Sequence, residues 1–264
     1  MTTENQNNIG SFDLANADLE QLQENLDDAL EQTQKVDGIL DDITAGRKYP
    51  ADLVFAVSGL IALLTRISAT NGYQVFGIVA HRLDEYFRAA KDLPPKVIND
   101  FHSYMGVIED LLDDRENIPK DASDLVRRLP ANGGFDSEDI EVRSIEVMLV
   151  MLKDTATRYV ERELHQCGYR VTRINNVFDA LPNIVRTKPD LVIISGVMQE
   201  LNGIDLAIGL SAMPATRNVP IALITSLGET DGYLSLLPES VPIIRKGPSF
   251  ADDLFKAMDD MFLM

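Results

Sequence analysis

KPDLVIISGVMQELNGIDL, from Lys188 to Leu206, holds a short unbroken apolar run, a loop and a helix start. Leu191 to Ile194 has the length of a strand buried on both faces, because a parallel sheet covered by helices leaves no wet side to impose alternation. The loop Gly196 to Asn202 then carries the chain to a helix opening at Gly203. The same unit repeats outward in both directions. IEVMLVML from Ile145 reads as another fully buried strand, and RVTRI from Arg170, VPIALIT from Val219 and VPIIRK from Val241 read as further strands.

Between them lie helical segments. TATRYVERELHQCGY closes at Gly168, NVFDALPNIVRT follows the second strand, and GIDLAIGLSAM follows the third. A short helical piece at YLSLL and a last helix, ADDLFKAMDDMFL, complete five βα units. Strands alternating with helices predict an α/β domain over residues 145–264, with a five-stranded parallel sheet covered on both faces.

The preceding half has a different period. Leu19, Leu22, Leu26 and Leu30 recur three and four apart with acids between them, continuing through Val36, Leu40 and Ile43. AGRKYP breaks this long helix, expected over Asp13 to Thr44. A second helix after Pro50 carries Leu53, Phe55, Leu60, Leu63, Leu64 and Ile67. A third carries Val75, Phe76, Val79, Leu83 and Phe87, and a fourth carries Val97, Ile98, Phe101, Met105, Ile108 and Leu112. Short connections predict an all-α four-helix bundle over residues 13–116 of a two-domain chain. Residues 1–12 are expected to be disordered. Residues 117–144, rich in Pro, Gly and acids, read as a linker with one short helix around Leu125 to Leu129.

Charge and composition exclude several roles. The net charge is −18, and residues 1–120 carry 10 basic and 21 acidic side chains, a net −11. Such a field repels nucleic acid and anionic lipid, so neither is an expected partner. No run of about 18 uniformly apolar residues is read as a membrane span. No basic flank leads an apolar segment near the start, as a secretory signal would require. The single cysteine, Cys167, forms no intrachain disulfide or Cys-based zinc cluster. The cytoplasm is the expected compartment, and no metal or cofactor is expected.

PDLVIIS, the following Met-Gln and LNG, without a gap, resemble the motif of receiver domains of two-component response regulators over residues 146–264. The resemblance implies a CheY-like fold and puts Ser195 where the family keeps its phospho-acceptor aspartate. It puts Thr225 on the hydroxyl residue that contacts the phosphoryl group and Lys246 on the lysine that pairs with it. Ile243 falls at the family's aromatic switch position. The magnesium-holding acid pair falls near Met151 and Leu152, with Asp154 the nearest acid. A thioether and an isobutyl group offer a hard cation no oxygen, and a serine cannot form an acyl phosphate. Even with Glu200, Asp154 is out of register for a metal site. The expectation is a pseudo-receiver with a remnant pocket of Asp154, Thr225 and Lys246.

The bundle resembles histidine phosphotransfer domains. Its Gly72-Tyr73, a six-residue spacer and AHRLD from Ala80 match that family's Gly-Phe, spacer and AHRLE. This register puts Ala62 on the phospho-histidine and Thr65 and Arg66 on the following Lys-Gly pair. His81 lies on the third helix beside Asp84 and Glu85, His102 on the fourth, and His165 on the first helix of the other domain.

Together the two resemblances imply a non-enzymatic adaptor of a bacterial two-component phosphorelay, docking on a histidine kinase or response regulator without carrying phosphate. The candidate docking face is Tyr159, Arg162 and Pro248 on the receiver-like half and Thr65 and Arg66 on the bundle. Two alternatives stand beside it: active phosphotransfer through His81 or His102, and a dimeric scaffold paired through the long first helix.

Overall fold

A computed structural model describes the backbone of residues 4–131, 144–228, 231–247 and 250–262, and side chains from Asp18 onward apart from a few in the last helix. The chain divides into two units, residues 1–120 and 121–264.

The first unit is a four-helix bundle: α1 (Glu4–Thr44), α2 (Pro50–Ser68), α3 (Gln74–Ala89) and α4 (Pro95–Asp113). α1 packs against α2 and α4, and α2 also packs against α3. Pro50 supplies a preset φ at the start of α2, while Asp52 accepts the Tyr49 amide at 3.1 Å. Leu26, Leu40, Leu60, Leu64, Phe76, Leu83, Phe101 and Ile108 fill the core. Between α3 and α4, the Tyr86 hydroxyl donates to Asp100, and burial followed by that carboxylate pushes the phenol pKa up. Two residues expected on buried faces are outside: Leu19 is 63% exposed and Phe55 84%. Helical spacing identifies a stripe, whereas burial needs a neighbour to cover it.

α1 begins at Glu4, not Asp13, since no proline interrupts the chain before that point. The segment read as linker differs more. α5 (Ser123–Arg128) packs on α7 (Val177–Thr187) of the second unit, which therefore starts near Asp121 and not at residue 145. Arg170, buried against Glu146, donates to the carbonyls of Val126 and Leu129 at 3.0 and 2.7 Å. Arg127 pairs with Asp190 at 2.8 Å, Lys188 pairs with Asp121, and the Ala122 amide donates to Arg186 O at 2.9 Å. Leu125, Val126 and Leu129 are buried. These partners lie 41 to 67 residues away along the chain, so a local reading does not see them. Residues 132–143 of the expected linker lie outside the described residues.

The second unit is a five-stranded parallel sheet of order β2-β1-β3-β4-β5. Its strands are β1 (Glu146–Val150), β2 (Arg170–Ile174), β3 (Leu191–Ser195), β4 (Ile221–Thr225) and β5 (Ile243–Arg245). The helices are α6 (Thr155–Gln166), α7 (Val177–Thr187), α8 (Gly203–Ala212) and α9 (Phe250–Phe262), with a 3-10 turn at Leu234–Leu236. Alternate residues face opposite layers. Val147, Leu149, Ile193 and Ile224 meet α6 and α9, while Met148, Val150, Ile194 and Leu223 meet α7 and α8. Asn176 and Asn202 cap α7 and α8 through the Phe178 and Ile204 amides, and Gly168, at φ +80°, turns the chain from α6 into β2. This order is the flavodoxin-like one, whose ligand crevice lies beyond the carboxyl ends of β1 and β3.

Candidate functional site

The carboxyl ends of β3, β4 and β5 set Ser195, Thr225 and Lys246 side by side. Ser195 pairs in register with Ile224, and the Lys246 amide donates to Thr225 O at 2.9 Å. Both hydroxyls are buried and engaged locally. Ser195 Oγ donates to Val197 O at 3.2 Å, and Thr225 Oγ1 accepts the Leu227 amide at 3.0 Å. Gly196 follows Ser195 so closely beside Thr225 that a Cβ there would lie 3.1 Å from Thr225 Oγ1. Gly203 is tighter still, with a Cβ position 1.9 Å from Ser195 O. The LNG turn therefore brings the start of α8 directly onto the tip of β3, a role open only to glycine.

Asp154 caps α6, accepting the Thr157 amide at 2.7 Å and the Thr157 hydroxyl at 2.9 Å. The Thr157 amide, then its hydroxyl and the Lys246 charge hold the carboxyl below its usual range. Lys246 is thus close enough to Asp154 for its charge to be felt there. Met151 is buried in the core layer under α6, and Leu152 is half-buried. Glu200 is exposed in the β3–α8 loop at φ +65°. Among the described residues, no three His, Cys, Asp or Glu side chains are grouped to hold a metal ion. Ile243 is half-buried and packs into the layer under α7 and α8. The tips of β3 and β4 thus hold two buried hydroxyls engaged with the local backbone, and the β3 tip offers no carboxylate for acyl phosphate formation.

Beside the tips opens a cleft of about 450 Å³ lined by Tyr159, Val160, Ile224, Lys246, Gly247 and Phe250, with Thr155 and Ala156 at one end. The Tyr159 and Phe250 rings meet edge-on at 5.6 Å, and the Arg162 guanidinium lies 5.1 Å from the Tyr159 ring centre. Of the expected docking residues, Tyr159 lines the cleft and Arg162 covers its ring. Pro248 lies outside the described residues. Phe250 was missed by the sequence reading. Its place ahead of an amphipathic helix, directly after KGPS, was the available signal.

On the bundle, Ala62, Thr65 and Arg66 are exposed along α2 with Ser58 and Phe55. Thr65 Oγ1 bonds back to Ile61 O, and Arg66 reaches Asn25 at 3.3 Å. α2 is the one described helix long and apolar enough to suit a membrane span, with a mean hydropathy of 1.7, yet Leu53, Val57, Leu60, Leu64 and Ile67 are buried in the bundle. His81 sits 3.6 Å from Glu85 on the same helix. His102 holds Asp37 through Nδ1 at 2.6 Å and lies 3.8 Å from Asp41 through Nε2, joining α4 to α1. His165 is in the second unit, where burial lowers its pKa.

The second unit thus has a flavodoxin-like fold. Its solved neighbours are receiver domains matching the C-terminal part of the chain. The receiver domain of a sensor histidine kinase from Pseudomonas aeruginosa, which holds magnesium in its active-site cleft, is 20% identical, covering 46% of this chain and 98% of its own at a TM-score of 0.40. A response regulator from Desulfuromonas acetoxidans is 20% identical over 46% of this chain and 98% of its own, at 0.38. The receiver domain of a signal transduction histidine kinase from Syntrophus aciditrophicus is 26% identical over 45% and 89%, at 0.40. No family model and no curated protein matches the chain.

Proposed function

We propose that the chain is a regulatory adaptor of a two-component phosphorelay, acting by docking and carrying no phosphate. The observation that carries this reading is the β3 tip, where Ser195 ends the strand with its hydroxyl turned onto Val197 O, and Met151 fills core space where a metal-binding acid would have to stand. The receiver-type fold and the aligned Thr225 and Lys246 support a two-component setting. Docking is supported by two surfaces described independently: the uncharged stripe Phe55, Ser58 and Ala62 on α2, and the Tyr159–Phe250 cleft. Apolar centres with polar rims are what such interfaces use. On this reading the chain works in the cytoplasm, beside a kinase or receiver.

The test has two arms. The chain is incubated with a radiolabelled histidine kinase and a competent receiver, and no label should reach it. Acid-labile label on His81 or His102 would overturn the reading in favour of active transfer. In the second arm the chain should alter kinase-to-receiver transfer, and Phe55→Ser or Tyr159→Ser should weaken that effect about tenfold or more, as expected for losing a buried aromatic. Full effect from both variants would remove the docking surfaces.

A further inference from the structure

α1 is longer than the bundle that it helps to build. It spans 41 residues, against 19 each for α2 and α4. Cross-contacts fix where its neighbours stop. Arg66, in the last turn of α2, reaches Asn25, and Arg115, just past α4, pairs with Asp27 at 2.8 Å. α2 and α4 therefore end alongside α1 near Asn25 and Asp27, and the α1 backbone N-terminal to Leu22 continues for about 27 Å at helical rise.

The sequence of this extension continues the seam that the bundle buries. Leu22, Leu26, Ala29, Thr33, Val36 and Leu40 follow strict alternating steps of four and three residues, and all six are buried. The same steps run backwards to Leu19, Ala15 and Phe12. That is an a/d heptad pattern, which a helix keeps when another helix lies along it. The break comes between adjacent seam positions, from 8% exposure at Leu22 to 63% at Leu19.

Charge selects the occupant. Residues 4–34 carry Glu4, Asp13, Asp18, Glu20, Glu24, Asp27, Asp28 and Glu31, and no lysine or arginine. A second copy would bring the same acids together and set one net charge of −18 against another. An anionic membrane surface is repelled likewise. A helix with an apolar seam flanked by basic residues meets both features. We propose that residues 4–21 form a docking helix for a partner helix of that kind, an apolar seam with lysine or arginine beside it.

The probe is a labelled three-heptad peptide with leucine at a and d and lysine at e and g, titrated into the full chain by fluorescence anisotropy. Its twin carries glutamate at e and g. The lysine peptide should bind saturably, and at least tenfold more weakly when salt rises from about 50 to about 300 mM, where screening shortens the reach of exposed charges. Leu19→Asp should weaken it tenfold or more with unchanged circular dichroism, since Leu19 packs little within the chain. The Asp18→Lys/Glu20→Lys variant should lose the lysine peptide and gain the glutamate one. Equal binding to wild type and Leu19→Asp, or no binding at all, would overturn the proposal. So would a dimer of the chain, by sedimentation, that Leu19→Asp dissolves, since the occupant would then be a second copy.

Discussion

Replacing Arg170 by methionine should loosen α5 and cost the second unit about 3–5 kcal/mol, the range for breaking a buried ion pair from one side. The magnitude follows from what is left behind. The Glu146 side chain is 3% exposed, so its carboxylate stays in low dielectric without its guanidinium. The Leu129 carbonyl loses its donor as well, at about 1–3 kcal/mol where water stays out, while Val126 O keeps the Leu129 amide. Water admitted by α5 swinging away would relieve part of this, which holds the sum within the stated range. The double variant Glu146→Met/Arg170→Met removes both charges together and should recover most of the loss, because paired replacement spares the desolvation of an orphaned ion. Hydrogen exchange on the full chain, read at peptides from α5, β1 and β2, resolves this unit from the bundle. A parallel urea titration should show the unit's midpoint falling by roughly 2 M at an ordinary m-value. Unchanged protection of α5 in the single variant, or a double variant as damaged as the single, would refute the assignment of α5 to this unit.

Three further outcomes are expected. Gly203→Ala pushes a methyl against Ser195 O and should cost at least about 1–3 kcal/mol, whereas Gly209→Ala in the same helix, with open space around it, should gain about 0.5–1 kcal/mol; thermal melts compare them. Lys188, then Ser123, hold the Asp121 carboxyl at about 2, below its unbound 3.8, so its stabilisation is complete above pH 4 and lost as pH falls towards 2. Asp121→Asn should flatten the acid limb of the stability curve in that window, by a small amount because the pair is exposed. Magnesium with beryllofluoride should leave the melting temperature unchanged, and a saturable rise would mean that Asp154 or another acid has been recruited at the β3 tip.

The α/β half was legible because each strand is short, β3 and β4 are apolar almost throughout, and a helical or turn segment separates each strand from the next. Ser195, Thr225 and Lys246 could be placed at strand ends by counting alone, and the structure sets them side by side. Asp154 was legible as an acid after β1, but not as the cap of α6 that holds the Thr157 amide. The bundle's core was readable at Leu26, Leu64 and Phe101. At Leu19 and Phe55 the same periodicity misled, since nothing local says whether a neighbour arrives.

What the sequence determined by itself was therefore the identity and order of the elements and the residue at each strand tip. These depend on periods of two and 3.6 residues and on caps that act within one turn. Only the tertiary structure decided that α5 belongs to the sheet, that Phe250 closes a cleft with Tyr159, and where helical faces are covered. Those outcomes rest on contacts between residues tens of positions apart, such as Arg170 with Leu129, whose partners a local pattern does not encode.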